Sequence, residues 1–246
     1  MTMAATDADG VAGEALPDPA PKIGRRRSSS EQAALYIRRL IFDGHLRPGS
    51  RVPQDDIAHA LGLSRVPVRE ALIALEREGF VTIELHRGAF VNALDESTVI
   101  DHYELYGVLY GFAVVRAMGR GSSDLVERLS DIERAFSATE DPAAAWHLAL
   151  AFHSTIVDGV ASPRLRVLLR AMSTLVPANL FAVVPGAIET ERQGFRAILR
   201  AMRRDDADRA AHEYRRMLGQ TGKQVAQLFE ERGLFVQPFA ATMAES

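Results

Sequence analysis

Residues 57–79 read IAHALGLSRVPVREALIALEREG. At 100° per residue, a helix running from Arg65 onward divides into two faces. Val68, Ala71, Leu72 and Leu75 fall on one side, where they can pack on Ile57 and Leu61. Arg65 and Arg69, one turn apart, project together from another side near the N-terminal end. A helix that enters a major groove needs this division: an apolar side gripping its own domain, and donors aimed at base edges from the first two turns. Val66 and Pro67 sit beside the arginines, placed to touch thymine methyls. Arg77, two turns beyond Arg69, is expected to be structural. The competing reading makes Arg65 and Arg69 ordinary surface arginines with Glu70 and Glu76 near for pairing.

The neighbouring stretches decide between these. Upstream, Ala34, Ile37, Leu40 and Ile41 recur at helical spacing until GHLRPGS (44–50), a turn rich in glycine and proline. A second short helix is expected over Gln54 to Leu61, with Asp55 and Asp56 in the first turn, where the helix dipole favours acids. Gly62 ends it in a conformation of positive φ, and Ser64 caps the third helix. Pro67 does no harm there, because first-turn amides have no helical acceptor to lose. After Gly79 the period becomes that of strands: FVTIE (80–84) and GAFVN (88–92) flank the basic turn LHR, followed by Gly88. Three helices and a hairpin over residues 29–93 make a winged helix-turn-helix.

The fold class expected for the whole chain is mainly α: this winged unit, followed by an all-α helical-bundle domain over 94–233. Helices are predicted at about 97–118, 123–137, 142–159, 163–176, 187–203 and 206–231, with an extra turn within ANLFAVV. Start signals are Ser97, Asp141-Pro142 and Asp205-Asp206; stop signals are Gly119, Gly186 and Gly233. Residues 1–28 lack periodicity and bulky apolar groups and read as a disordered tail; 234–246 form a second tail. The first ends in a cationic cluster, Lys22 and Arg25 to Arg27, open to two readings: a solvated linker or a phosphate-contacting arm.

With 47% hydrophobic and 25% charged residues, the composition is that of a soluble globular protein. A net charge of -3 offers no overall basic field, so any nucleic-acid surface must be local. The absence of cysteine excludes disulfides, thiolate metal sites and a cysteine nucleophile. No apolar core of signal-peptide length opens the chain, and LVPANLFAVVPGAI (175–188) is too short to span a bilayer, so a cytoplasmic protein without membrane contact is expected. No H-E-x-x-H, G-x-S-x-G or phosphate-cradling glycine loop occurs, which argues against an enzyme.

The stretch LRPGSRVPQDDIAHALGLSRVPVREALIALEREGFVTIELHRGAFV resembles the DNA-binding domain of the GntR family of bacterial transcriptional regulators. The family's string S-R-x-P-V-R-E-A-L stands intact as Ser64 to Leu72. FHSTIVDGVASPRL (152–165) resembles the ligand-binding (FCD) domain of its FadR-like branch, so the likeness runs from about 30 to 232. The resemblance implies a homodimer that binds a short palindromic operator in double-stranded DNA, commonly as a repressor, under control of a small effector. Carried over by position, Arg65 and Arg69 contact bases or phosphates, Ser64 and Arg51 touch phosphate, and His86, Arg87 and Gly88 approach the minor groove from the wing. Some relatives place a DNA-contacting arginine where this chain has Asp55, which puts that contact in doubt.

Domains of this branch often hold a divalent metal through an aspartate and three histidines. His153 matches the first histidine, but the other positions align with Ala149, Phe195 and Met217. One imidazole does not hold a first-row metal, so no metal cofactor is expected. His147 lies about 120° round the helix from His153, and His212 is also badly aimed. Tyr106 stands where relatives place a carboxylate-binding arginine, with Tyr110 one turn later. The resemblance thus implies an effector site at Tyr106, Tyr110, Ala149, His153, Phe195 and Met217 for an apolar ligand, such as a fatty acyl group, its thioester or another apolar carboxylate. Three alternatives stay open: these side chains are simply core, the protein is a metal-dependent carboxylate sensor, or it is a dimeric DNA-binding scaffold without an effector.

Overall fold

The first helix begins where its own side chains can close it. The Ser28 hydroxyl accepts from the Glu31 amide at 3.1 Å, and the Glu31 carboxylate accepts from the Ser28 amide at 2.9 Å. This reciprocal cap opens α1 (Ser29–Phe42) in a computed structural model that describes residues 28–121, 124–160 and 162–235, together with Pro17. The cationic cluster at 22–27 and most of both tails lie outside the described residues. Helices α2 (Gln54–Leu61) and α3 (Arg65–Arg77) follow, joined through Gly62 at φ 63°. Ser64 occupies the cap position of α3, but its hydroxyl makes no capping bond. One of the two amides that a cap could bond is missing, because the third residue of α3 is Pro67, which has no N–H.

Strands β1 (Val81–Glu84) and β2 (Gly88–Val91) pair antiparallel, Val81 opposite Val91 and Glu84 opposite Gly88. Sequence periodicity did not reveal a third contributor to this wing. Arg51 bridges to Phe90, with the Gly49 and Val52 amides donating to the Val91 and Ala89 carbonyls, both at 2.8 Å.

The second unit is helical: α4 (Glu96–Met118), α5 (Leu125–Ser137), α6 (Pro142–Val160), α7 (Pro163–Met172), α8 (Leu180–Val183), α9 (Ala187–Met202) and α10 (Ala207–Glu231). Asp95, not Ser97, caps α4 by accepting from the Thr98 amide at 2.9 Å. The helix expected through 176 ends at Met172 and tightens into a 3-10 turn, Ser173–Leu175, because Val176 precedes Pro177 and is held extended. The span Pro163–Val183 has the length and mean hydropathy (1.2) of a membrane-crossing segment, but this break divides it. Gly186 ends no helix; with φ 77° it leads into α9.

α10 lies along α4 and α9. α4 comes so close that a Cβ on Gly107 would stand 2.9 Å from the Arg215 Cα. The end of α10 reaches back to the winged unit: Phe229 stacks on Phe42 at 4.9 Å, and Arg232 donates to the Phe42 carbonyl and to Asp43. Leu234, assigned by sequence to the tail, is buried, and its carbonyl accepts from the Leu94 amide at 3.0 Å. The buried apolar residues of both units thus form one continuous core.

Candidate functional site

The outer surfaces of α2, α3 and the wing enclose a groove of about 810 Å³, whose lining includes Arg51, Asp55, Arg65, Arg69, His86 and Gly88. Each is placed by an element with its own anchor. Val68, Ala71, Leu72 and Leu75 are buried and fix α3, which leaves Arg65 and Arg69 exposed. Glu76 accepts from the Ile83 amide at 2.8 Å and ties the far end of α3 to β1. Gly88 takes φ 107°, and a Cβ there would lie 2.9 Å from the Arg51 Nε, so the missing side chain makes room for that guanidinium. His86 sits at the wing tip with φ 61°, a left-handed conformation that histidine adopts more readily than most residues. Arg87 ion-pairs with Glu84 and lies 5.4 Å over the Phe90 ring, outside the groove lining. Ser64, Val66 and Pro67 are also outside it, Ser64 and Val66 exposed and Pro67 half-buried.

Neither arginine pairs with Glu70 or Glu76. Arg65 instead meets Asp55, Nε to Oδ1 at 2.5 Å and Nη2 to Oδ2 at 2.8 Å. Among the described residues Arg69 has no ion-pair partner. Arg77, expected to be structural, is exposed and likewise unpaired among the described residues.

The second candidate site lies within the bundle. Tyr106 and Tyr110 on α4 meet at 5.0 Å; Tyr110 stands 4.7 Å from the His153 ring on α6; His153 stands 5.5 Å from Phe195 on α9. Met217 on α10 covers Gly194, where a Cβ would strike its sulfur at 2.2 Å. Ala149 is buried one turn before His153. His147 and His212 are exposed.

Two members escaped the sequence reading. Tyr214 stacks on Tyr110 at 5.3 Å, and its hydroxyl lies 3.4 Å from the His153 Nδ1. Glu191, 3% exposed, places Oε2 3.8 Å from the His153 Nε2, and that oxygen has no hydrogen-bond partner. Burial pushes the Glu191 carboxyl up to about 8 and the His153 imidazole down to about 4. Burial therefore favours the neutral form of each group over an ion pair. A signal for Glu191 existed: it precedes the core residue Phe195 by one turn, an acid on the apolar face of α9.

A divalent metal does not fit. His153 and Glu191 supply two donors, while Ala149, Phe195 and Met217 supply no oxygen or nitrogen. Among the described residues no three metal-binding side chains converge.

Residues 29–91 match the profile of bacterial regulatory proteins of the gntR family, and residues 101–220 match that of the FCD domain. An uncharacterized HTH-type transcriptional regulator of Mycobacterium tuberculosis is 37% identical over 147 residues, which is 60% of this chain and 60% of the relative's length. The gluconate operon transcriptional repressor of Bacillus subtilis is 24% identical over 177 residues, 71% of this chain and 72% of that protein. The structure of E. coli McbR/YncC superposes with a TM-score of 0.61 at 18% identity, covering 84% of this chain and 99% of the other, a likeness of fold. With a helix-turn-helix and wing matching one profile and the helical bundle the other, the chain belongs to the gntR family of bacterial regulatory proteins, in the branch that carries an FCD domain.

Proposed function

We propose that this regulator is a cytoplasmic homodimer that represses transcription by binding a palindromic operator, and that a small apolar effector modulates the binding. Residues 29–93 serve as the DNA-binding unit and 94–233 as the effector-binding and dimerisation unit. One observation carries the reading: a groove between α3 and the wing collects the donors Arg51, Arg65, Arg69 and His86, with the Asp55, Asp56 and Glu84 carboxylates among them. Such local concentration of donors suits a duplex, with Arg65 and Arg69 on base edges and Arg51 and Ser64 on phosphate. Val66 and Pro67 would meet thymine methyls, and the wing turn at His86, Arg87 and Gly88 the minor groove.

Dimerisation is supported by an apolar stripe on α4, where Leu105, Val108 and Phe112 are all exposed at helical spacing. A dimer doubles the few base pairs that one recognition helix reads. Repression is supported by the likeness to the gluconate operon repressor. For the effector, the ring cluster favours an acyl group bound through buried area, its polar end on Tyr106, Tyr110 or His153. Burial raises the Glu191 carboxyl, and among the described residues no arginine or lysine pairs with it. An acyl thioester or ester therefore suits the cluster better than a free carboxylate.

The test begins with selection of random duplexes by the purified chain, followed by titration of the enriched site. An inverted repeat that loses affinity with Arg65→Ala and with Arg69→Ala is the expected result. Equal binding of enriched and random duplexes would remove the reading. Acyl thioesters are then screened for release of the operator; release by none, and by no other apolar compound, leaves an effector-independent dimer.

A further inference from the structure

Asp55 stands in a surface that faces a polyanion; the first turn of α2 suits an acid, but that does not account for the contact with Arg65. Its pair with Arg65 is exposed, the two side chains retaining 63% and 67% of their accessibility, and pairs of this kind add little to folding. A carboxylate in the groove also weakens attraction to every phosphate. What it does change is the orientation of one guanidinium. Oδ2 takes one Nη2–H and Oδ1 lies 2.5 Å from Nε, so the carboxylate meets the guanidinium side-on, along its Nε/Nη2 edge. Of the five guanidinium N–H groups, the two on Nη1 and the outer one on Nη2 remain. One Nη1–H and the outer Nη2–H form the distal fork, which can donate in parallel to guanine O6 and N7.

We propose that Asp55 is a specificity-determining positioning residue, holding Arg65 side-on so that its distal fork reads a guanine in the operator half-site. Arg65 without this grip is a flexible cation able to settle on any phosphate. Held by Asp55, it exchanges general attraction for orientation. The first turn of α2 thus contributes through Arg65 rather than by touching DNA itself. The inference rests on the DNA-binding reading above.

The experiment compares four full-length proteins: wild type, Asp55→Ala, Asp55→Asn and Arg65→Ala. Each selects from one random-sequence duplex library, and base preferences are read position by position. Circular dichroism melts of all four check folding. For Asp55→Ala the expected result is loss of about tenfold in guanine preference at the same position that Arg65→Ala loses, with other positions unchanged. Affinity for random duplex should rise, and its salt dependence steepen by about one phosphate contact, because a carboxylate is gone and Arg65 is released. Asp55→Asn keeps an acceptor without the charge and should fall between, with an unchanged melt. Unchanged preferences in Asp55→Ala overturn the proposal, as does a uniform loss at all positions. Loss confined to a position that Arg65→Ala leaves intact overturns it too, since Asp55 would then read its own base. If the wild type enriches nothing, the DNA-binding reading falls and this inference with it.

Discussion

The groove beside α3 and the ring cluster inside the bundle hold their polar groups under opposite conditions. In the groove, Arg65 and Asp55 are solvated, so their pairing alters geometry far more than free energy of folding. In the bundle, Glu191 and His153 are removed from water, and burial favours the neutral form of each. Charge is kept where water solvates it and suppressed where packing would have to compensate it. Substitutions in one region should therefore change discrimination, and in the other stability.

The largest effect is expected from Phe195→Ala. This fully buried ring stacks on Phe152 at 3.9 Å and meets Phe136 at 5.1 Å, and truncation should destabilise by about 3–5 kcal/mol. Denaturant unfolding measures it. A loss under 1 kcal/mol would mean that the cluster is loosely packed, which blurs the contrast with the groove.

Arg65→Ala reverses that pattern. Affinity for the selected operator should fall by about 1–3 kcal/mol, while stability moves by less than about 0.5 kcal/mol. Titration of operator and of random duplex separates the two possible contacts. Equal losses on both would make Arg65 a phosphate contact.

The neutral acid leaves a trace in pH dependence. Glu191 binds its proton in the folded chain up to about pH 8, whereas an unfolded glutamate releases it near 4.5. The folded state thus holds the extra proton between these values, and stability falls as pH rises through them. His153 acts oppositely, but only between about 4 and its unfolded value of 6.5. The uncompensated window is pH 6.5 to 8, where stability should drop by about 1–2 kcal/mol. Thermal unfolding of Glu191→Gln should lack that drop; an identical slope in both proteins would place the ionised group elsewhere.

The smallest expected change is at the junction of the two regions. Arg232→Ala removes the bonds to Phe42 and Asp43 and should destabilise by about 1 kcal/mol. Its informative readout is cooperativity: a single unfolding transition that splits in two would show that this contact joins the units.

Residues 57–79 and the strands after them were open to reading from sequence because local rules decide them. Helical spacing, the left-handed glycine at 62 and the change of period after Gly79 each act within a few residues. The exposed arginines followed from the same periodicity. What sequence left undecided were pairings between residues distant along the chain. Asp55 and Arg65 meet ten residues apart across a turn, Glu191 and His153 meet across two helices, and Arg232 returns to Asp43 after 189 residues. Periodicity places a side chain on a face but does not say which face packs opposite. Only the tertiary structure settled that Asp55 meets Arg65, and that Glu191 is buried among rings, where burial favours its protonated form.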